Sequence, residues 1–478
     1  MSSSSNPLAW TDRLANPYLH DVFAPTTREV TVEALPCVGE IPRDLNGTYL
    51  RNGPNPVHSP RGAYHWFDGD GMLHAVHFED GRASYRSRWI RTLGFVEEAR
   101  AGKALWPGYM DRPDPNAPRG SGSDGWLKDT ANTDIVSHRG TALALWYQCG
   151  VPYRIEPRTL ETLGPETFEE TLPRQVSAHA KSDERTGELL FFDYATQEPY
   201  LVYHVVGKNG RVGHSVPIDV PGPRLPHDMA VTENHAILMD LPLFWDPELV
   251  ARGVHKVRFF DEIPSRFAIV PRLGGPETVR WFEASPGYIY HVVNAWEDGD
   301  EIVMDACLTL DPCPPSDPAD GPLARMMAFL RVNAHLHRWR FDLRTGETRE
   351  EQLDDRNTEF PSIDVRRQGL KTRFAYNASI AREQTLLFDG IVKYNTETGR
   401  SEAYRFGDGW FGSESPFAPR DASLEEDDGY LLSFVSRGSG ESEVLVLDAR
   451  EISAGPVARI PIPTRVPTGF HACWVSSA

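Results

Sequence analysis

One hairpin pattern recurs along this chain of 478 residues, and it restricts the fold more than any other feature. The pattern is a strand-like run, an acidic residue or Asn, a turn that usually contains Gly, and a second strand-like run. It occurs at residues 77–82, 153–162, 182–192, 340–347 and 393–400. Glycine supplies the positive φ that a tight hairpin turn needs. Recurring hairpins predict an all-β fold, and at this length they favour a β-propeller with blades of about 40–50 residues.

Helical patterning is scarce by comparison. Only residues 93–103, 247–254 and 323–334 predict short helices. The third segment begins with the apolar run from Leu323 to Leu330, for which two interpretations stay open. It is either a helix packed on the propeller or a segment at a substrate entrance that touches membranes as a peripheral contact.

Charge and cysteine usage narrow the class of protein. The net charge is −19 with acidic and basic residues interspersed, which argues against a nucleic-acid-binding surface. The five cysteines form no CxxC motif and no even framework, as expected in a reducing compartment. The N-terminal residues lack the basic and apolar regions of a signal peptide, and no run of about 18 apolar residues is present. We therefore expect a soluble, cytoplasmic protein without nucleic-acid partners.

Four of the 16 histidines, His179, His227, His291 and His471, lie within or beside apolar, strand-like runs. A lone histidine in a strand is more often a hydrogen-bonded core residue than a ligand, and His204 is interpreted in that way. A buried imidazole is costly unless something compensates it, and a shared metal is one such compensation. The spacings of 48, 64 and 180 residues exclude a local zinc finger or a helical HExxH site. A propeller resolves this difficulty, because the inner strands of distant blades converge on its axis.

Further motifs occur in order along the chain. They are residues 46–56, 64–74, 128–134 and 359–364, together with the contexts of the four histidines. Combined, they resemble the carotenoid cleavage oxygenase family from about residue 30 to the C-terminus. The resemblance implies a seven-bladed β-propeller, with short helices and loops capping an axial metal site. We accordingly expect an N-terminal extension over residues 1–30 and a single propeller oxygenase domain over residues 31–478.

The same resemblance implies a cofactor and its ligands. One Fe²⁺ would be held by His179, His227, His291 and His471 without a carboxylate ligand. Relatives use three glutamates to orient the imidazoles, and Glu359 and Glu414 match two of them.

Two further positions near these motifs are informative. Where the family has Leu-Trp-Glu, this chain has Leu-Trp146-Tyr147-Gln148, so the third glutamate is replaced. Tyr147, Gln148 or a water is expected to supply the acceptor instead. Thr133 matches a threonine whose methyl group crowds a vacant iron position in relatives.

The resemblance also implies the reaction, in which O₂ splits a conjugated C=C bond of a lipophilic substrate into two carbonyl fragments. An apolar tunnel would place one double bond near the iron. The predicted tunnel residues are aromatic, although core packing explains aromatic residues equally well. They are Tyr64, Trp66, Phe67, Tyr109, Trp146 and Trp296.

Two substrate classes compete. Relatives that cleave stilbenes or phenylpropenes bind the phenolic oxygen with a Tyr and a Lys, and Trp146 stands where that Lys would be. Because an indole suits a polyene better than a phenolate, a carotenoid or apocarotenoid is favoured. Tyr109 matches the Tyr and keeps the phenolic alternative open. Further alternatives are an isomerase-like relative, a propeller that binds an apolar ligand without catalysis, and a protein scaffold.

Overall fold

A computed structural model describes residues 16–122, 125–250, 256–420 and 423–477. The strands in these ranges form seven antiparallel sheets of four or five strands and one two-stranded ribbon. The seven larger sheets are the blades of a β-propeller, which confirms the predicted all-β, seven-bladed fold. The chain divides into two compact units. The first comprises the described parts of Met1–Glu166, Phe406–Ser423 and Asp428–Ala478, and the second comprises those of Thr167–Arg405 and Leu424–Asp427.

The first unit contains three sheets. One consists of β1 Val30–Val32, β3 Gly47–Arg51, β4 Met72–Glu79, β5 Arg82–Trp89 and β32 Ala472–Ser476, in the order β1-β5-β4-β3-β32. The next consists of β6 Asp134–His138, β7 Thr141–Leu145, β8 Tyr153–Ile155 and β9 Thr162–Pro165, in chain order. The last consists of β2 Val38–Gly39, β28 Phe417–Pro419, β29 Gly429–Ser436, β30 Ser442–Asp448 and β31 Pro456–Ile462, in the order β2-β31-β30-β29-β28.

The second unit contains four sheets and the ribbon. The first sheet consists of β10 Lys181–Asp183, β11 Glu188–Tyr194, β12 Leu201–Val206 and β13 Val212–Pro217. The second consists of β14 Ala230–Val231, β15 His235–Asp240, β18 Ser265–Pro271 and β19 Arg280–Ala284, and the ribbon pairs β16 Leu243–Trp245 with β17 Val257–Phe259. The third consists of β20 Tyr288–Asp298, β21 Glu301–Thr309, β22 Ala334–Asp342 and β23 Thr348–Gln352. The fourth consists of β24 Thr358–Ser362, β25 Phe374–Ile380, β26 Phe388–Asn395 and β27 Arg400–Arg405.

All five predicted hairpins are confirmed, as the connections β4–β5, β8–β9, β10–β11, β22–β23 and β26–β27. Gly346 (φ 82°) and Gly399 (φ 69°) supply the positive φ in the last two turns. The β8–β9 turn has no glycine, and Leu160 adopts the left-handed conformation there with φ 61°.

Helices are short, as the sequence predicts. They are α1 Leu93–Ala101, α2 Pro247–Val250 and α3 Ala324–Phe329, with 3-10 turns at Pro17–Leu19, Asp21–Phe23, Trp66–Asp68, Pro276–Thr278, Pro318–Leu323, Val365–Arg367 and Ile452–Ala454. The Thr92 hydroxyl caps α1, and Gly102 ends it with φ 68°. The predicted helix over 323–334 is wrong at its end, because α3 stops at Phe329 and Ala334 pairs with Thr309 as the first residue of β22. The predicted 247–254 helix extends partly into residues 251–255, which lie outside the described residues.

Each unit has its own core, and burial falls from inner to outer strands. In the β20–β23 sheet, β21 is buried on both faces, whereas β23 exposes most of its residues. The β20–β23 sheet and the β14–β19 sheet share one core cluster that includes Phe267, Trp339 and Phe341. Each such side chain contributes about 1.5–3 kcal/mol through removal from water. The apolar residues Met326 and Met327 of α3 are also buried, in agreement with the packed-helix interpretation.

Residues near the N-terminus pack on the first unit. Tyr18 stacks on Trp66 with ring centroids 5.4 Å apart, and Phe23 meets the same indole edge-on at 5.1 Å. The predicted boundary at residue 31 and the single domain stay predictions. Among the residues that the structure describes, no helix has both the length and the apolar character needed to cross a membrane.

Candidate metal centre and substrate cavity

Three of the four candidate ligands form a buried cluster within the second unit, and we call His179, His227 and His291 the histidine cluster. His179 precedes β10, His227 precedes β14, and His291 lies in β20. The ring centroids are 4.9 Å apart for His179 and His227, 4.9 Å for His179 and His291, and 5.2 Å for His227 and His291. Three chain segments that span 112 residues of sequence (291 − 179) therefore bring their imidazoles into contact.

Local irregularities in the backbone aim these side chains. The pairing of β20 with β21 shifts register between Ile289 and Val292, around His291. Such bulges turn a side chain away from its regular direction and are frequent beside active sites. His179 adopts φ 66°, a left-handed conformation that is uncommon for a residue with a side chain.

The fourth histidine directly precedes β32, and pairing of β32 with β3 fixes its backbone. The His471 N–H donates to the carbonyl of Thr133 over 3.3 Å, and the His471 carbonyl accepts from the Asn52 N–H over 2.9 Å. His471 is buried as well.

Buried carboxylates contact two of the imidazoles. Oε2 of Glu359 lies 2.5 Å from Nδ1 of His291. Oε2 of Glu414 lies 3.3 Å from Nδ1 of His471 and also accepts from the Ala472 N–H over 2.6 Å. A carboxylate at Nδ1 keeps the proton there, so that the lone pair is on Nε2. The structure thus brings both predicted glutamates to a histidine of the set.

The donor set suits a divalent transition metal. Neutral imidazoles bind iron, zinc, copper and nickel, so the histidines fit a metal without fixing its identity. Carboxylates that contact ligand imidazoles typically orient the rings and raise their basicity. The histidine cluster could therefore hold a metal ion.

Thr133 and Tyr147 lie next to each other in the first unit, and both are buried. The Thr133 hydroxyl accepts from the Tyr147 N–H over 3.2 Å and donates to Oδ1 of Asn132 over 3.1 Å. These two hydrogen bonds fix the χ1 rotamer of Thr133. The Tyr147 ring meets Phe67 edge-on with centroids 6.3 Å apart.

A cavity of about 60 Å³, partly open to solvent, lies in the first unit. Four of the predicted tunnel residues line it, namely Tyr64, Phe67, Tyr109 and Trp146. Trp66 is instead packed against Tyr18 and Phe23, and Trp296 lies in β20 of the second unit beneath the Arg338 guanidinium.

The cavity also has polar lining residues to which the sequence analysis gave no role. The Lys128 ammonium contacts Asp70 and lies 2.6 Å from Oε2 of Glu98. All three residues line the cavity. Lys128 and Asp70 occur in the motifs 128–134 and 64–74, and Glu98 lies on α1. The motifs therefore indicated two of these residues but not that they pair.

Tyr109 is surrounded by polar groups. Its hydroxyl accepts a hydrogen bond from the Gln148 amide, and its ring stacks on His65 with centroids 5.1 Å apart. Burial lowers the pKa of His65 to about 3, so this imidazole is neutral. Burial raises the pKa of Asp68 to about 7, although the N–H groups of His65 and Tyr109 donate to it and lower the pKa in part.

Comparison with known proteins identifies relatives that match almost the whole chain. Residues 23–476 match the family described as retinal pigment epithelial membrane protein (RPE65). A carotenoid 9,10(9',10')-cleavage dioxygenase 1 from Phaseolus vulgaris is 34% identical over 503 residues, covering 97% of this chain and 90% of the relative. Isoeugenol monooxygenase from Pseudomonas nitroreducens is 33% identical over 477 residues, covering 96% of this chain and 98% of the relative.

A solved structure agrees with these matches. The crystal structure of Pseudomonas brassicacearum lignostilbene dioxygenase has a TM-score of 0.86 to this chain at 30% sequence identity. The match covers 97% of this chain and 99% of that one. The two non-catalytic alternatives lose their basis, because relatives that match over 90–99% of their own length are named as oxygenases. The chain belongs to the RPE65/carotenoid cleavage oxygenase family, and it is an oxygenase.

Proposed function

We propose that this oxygenase uses O₂ and Fe²⁺ to cleave a conjugated C=C bond of a carotenoid or apocarotenoid, giving two carbonyl products. The observation that carries the proposal is the buried set of imidazoles, two of which contact the carboxylates of Glu359 and Glu414. Membership of the family supports the reaction class, and the named activity of the Phaseolus vulgaris relative supports the substrate class.

In this proposal, His179, His227, His291 and His471 hold the iron. When bound, Fe²⁺ supplies the redox chemistry that O₂ needs to react with a C=C bond. Glu359 and Glu414 hold the protons of His291 and His471 on Nδ1 and fix the ring planes. Thr133, whose rotamer is fixed by Asn132 and Tyr147, limits access to one side of the metal.

The aromatic cavity binds the substrate. Tyr64, Phe67, Tyr109 and Trp146 offer flat apolar surfaces that suit an extended π-system, and their rigidity orients it at low entropic cost. Trp146 favours a hydrocarbon chain because an indole lacks the ammonium group that would pair with a phenolate. Trp66 and Trp296 stay predicted tunnel residues, although neither lines this cavity.

Cleavage of phenolic stilbenes or phenylpropenes at the same centre is the second candidate. The hydroxyl of Tyr109 lies at the cavity and is polarised by the Gln148 amide, which suits recognition of a phenolic oxygen. Two of the similar proteins are named isoeugenol monooxygenase and lignostilbene dioxygenase, which supports this class.

Substrate panels with labelled oxygen separate the two candidates. The protein is prepared without oxygen, loaded with Fe²⁺, and mixed with β-apocarotenals or resveratrol in ¹⁸O₂. Aldehydes carrying ¹⁸O from the apocarotenals only support the first candidate, and those from resveratrol only support the second. Intact substrate in both mixtures contradicts both.

The metal assignment has its own test. Chelation is expected to abolish cleavage, and Fe²⁺ but not Zn²⁺ is expected to restore it, because Zn²⁺ has no redox chemistry. A His291→Ala protein that retains stoichiometric iron would refute the ligand assignment. A cytoplasmic location and peripheral membrane contact stay predictions from the sequence.

A further inference from the structure

We infer that Asp228 and Lys181 are positioning residues that set the geometry of the histidine cluster before a metal binds. The inference rests on the proposed metal site. It concerns one carboxylate that joins three separate chain segments, each of which carries one of the three histidines.

The contacts of Asp228 define this arrangement. Asp228 follows His227 directly, and its Oδ2 accepts from the Val292 N–H over 2.8 Å. Val292 in turn follows His291. Oδ1 of Asp228 lies 2.7 Å from the ammonium of Lys181, two residues after His179, and also accepts from the Met229 N–H over 2.7 Å. A single side chain therefore contacts a neighbour of each imidazole, through the backbone N–H groups of Met229 and Val292 and the ammonium of Lys181.

Strand pairing alone does not fix the direction of these imidazoles. His179 has φ 66°, and a left-handed conformation at a residue with a side chain persists only where the surroundings determine it. Around His291 the β20–β21 register is irregular, so the ladder alone does not fix the direction of the ring. The ion pair of Lys181 and the hydrogen bond to Val292 supply the missing constraints.

Burial strengthens the ion pair of Asp228 and Lys181. The side chain of Asp228 is 2% exposed and that of Lys181 is 14% exposed. In such surroundings an ion pair is screened little by water or salt, and removing one partner leaves an uncompensated charge. The buried ion pair therefore couples the histidine segments, and this coupling pre-organises the ligand nitrogens.

A purely structural ion pair is the alternative, and the same unit offers a matched control. Asp305 and Arg338 form a comparable buried pair, with both oxygens of Asp305 accepting over 2.7 Å and its side chain 2% exposed. This pair joins β21 to β22, whereas the Asp228 pair joins the segments of His179, His227 and His291. Loss of either pair is expected to lower stability, but only loss of the Asp228 pair is expected to change the metal site.

The experiment compares wild type, Asp228→Asn and Asp305→Asn as full-length, metal-free proteins. Each is titrated with Co²⁺ without oxygen, and the dissociation constant, the visible absorption of the bound ion and the melting temperature are measured. Asp228→Asn is expected to weaken Co²⁺ binding about 10–100-fold and to shift the visible band. Asp305→Asn is expected to keep the wild-type dissociation constant and spectrum despite a lower melting temperature.

The outcomes distinguish failure of this inference from failure of the proposed metal site. Wild-type binding parameters in Asp228→Asn would overturn the inference while leaving the proposed metal site intact. Failure of the wild type to bind one Co²⁺ would overturn both. If Asp228→Asn does not fold, Lys181→Met decides instead, because it keeps the hydrogen bond to Val292 and releases only the His179 segment. Weaker Co²⁺ binding in Lys181→Met supports the inference, and unchanged binding overturns it.

Discussion

Oε2 of Glu359 lies 2.5 Å from Nδ1 of His291 and accepts from the Phe360 N–H over 2.5 Å. The same oxygen thus serves the imidazole and the backbone next to it. Phe360 adopts φ 49°, so the chain bends sharply where the carboxylate turns towards the histidine. Like His179, Phe360 is a residue with a side chain in the left-handed region, and such residues cluster where function constrains the backbone. The carboxylate is held rigidly, and it holds the ring in turn.

Replacing the two glutamates by glutamine is expected to weaken metal binding unequally. Glu359→Gln should lower Fe²⁺ affinity about 10–100-fold, because an amide cannot match the carboxylate as an acceptor for the Nδ1 proton. Glu414→Gln should cost less, since its oxygen lies 3.3 Å from Nδ1 of His471, compared with 2.5 Å between Glu359 and His291. Metal content after dialysis against graded chelator measures both. Equal losses, or a larger loss in Glu414→Gln, would contradict this ranking.

Much of the fold and of this site could be predicted from local sequence. The hairpins and α1 follow from turn residues and caps that lie within ten residues of each other. The candidate ligands and both glutamates were identified from short motifs, because each motif contains its own functional residue. The carboxylate–imidazole contacts join residues 68 apart for Glu359 and 57 apart for Glu414 (359 − 291 and 471 − 414), and only the family resemblance indicated them.

Other features depend on tertiary pairing and were missed. The 323–334 segment has helical patterning throughout, yet Ala334 starts a strand because β22 pairs with β21 over nine residues. Lys128, Asp70 and Glu98 meet only after two loops and α1 have been placed. The role of Asp228 could not be predicted from the sequence either, because its partners Lys181 and Val292 follow histidines on two other chain segments.

Removal of the Tyr109 hydroxyl is expected to separate the two substrate classes. Tyr109→Phe loses the oxygen that accepts from Gln148 and that would meet a phenolic substrate. A neutral hydrogen bond is worth about 0.5–1.5 kcal/mol, so kcat/KM for resveratrol should fall about 2–10-fold. The value for a β-apocarotenal should change less than about twofold, because its polyene makes only apolar contacts. A larger loss with the apocarotenal than with resveratrol would contradict the assignment of Tyr109.

Trp146→Lys is expected to shift selectivity towards phenols. Trp146 lines the cavity together with Tyr109, so an ammonium group there would reach the same end of the substrate. Hydrogen bonds to a charged group are worth about 1.5–3 kcal/mol, which corresponds to a gain of about 10–100-fold in the resveratrol-to-apocarotenal ratio of kcat/KM. The ratio is unaffected by the fraction of protein that folds. Trp126→Lys is the control, since Trp126 is 37% exposed and is not a lining residue. An unchanged ratio in Trp146→Lys would place the substrate elsewhere.

Asp68 is expected to make stability depend on pH in the acid range. Burial raises its pKa to about 7, with a further increase from Asp111 and decreases from His65, Tyr109 and Lys128. Because the folded-state pKa lies above the unfolded value of about 3.8, the stabilisation from the protonated carboxyl is complete below about pH 4. It is lost as the pH rises to about 7, so wild-type stability should fall relative to Asp68→Asn across that window. The melting temperature of wild type minus that of Asp68→Asn, measured from pH 4 to 8, should decrease by about 2–4 °C. Asp80→Asn, at an exposed carboxylate whose side chain is 75% accessible, should leave the profile unchanged. A flat difference for Asp68→Asn would show that Asp68 is ionised throughout the range.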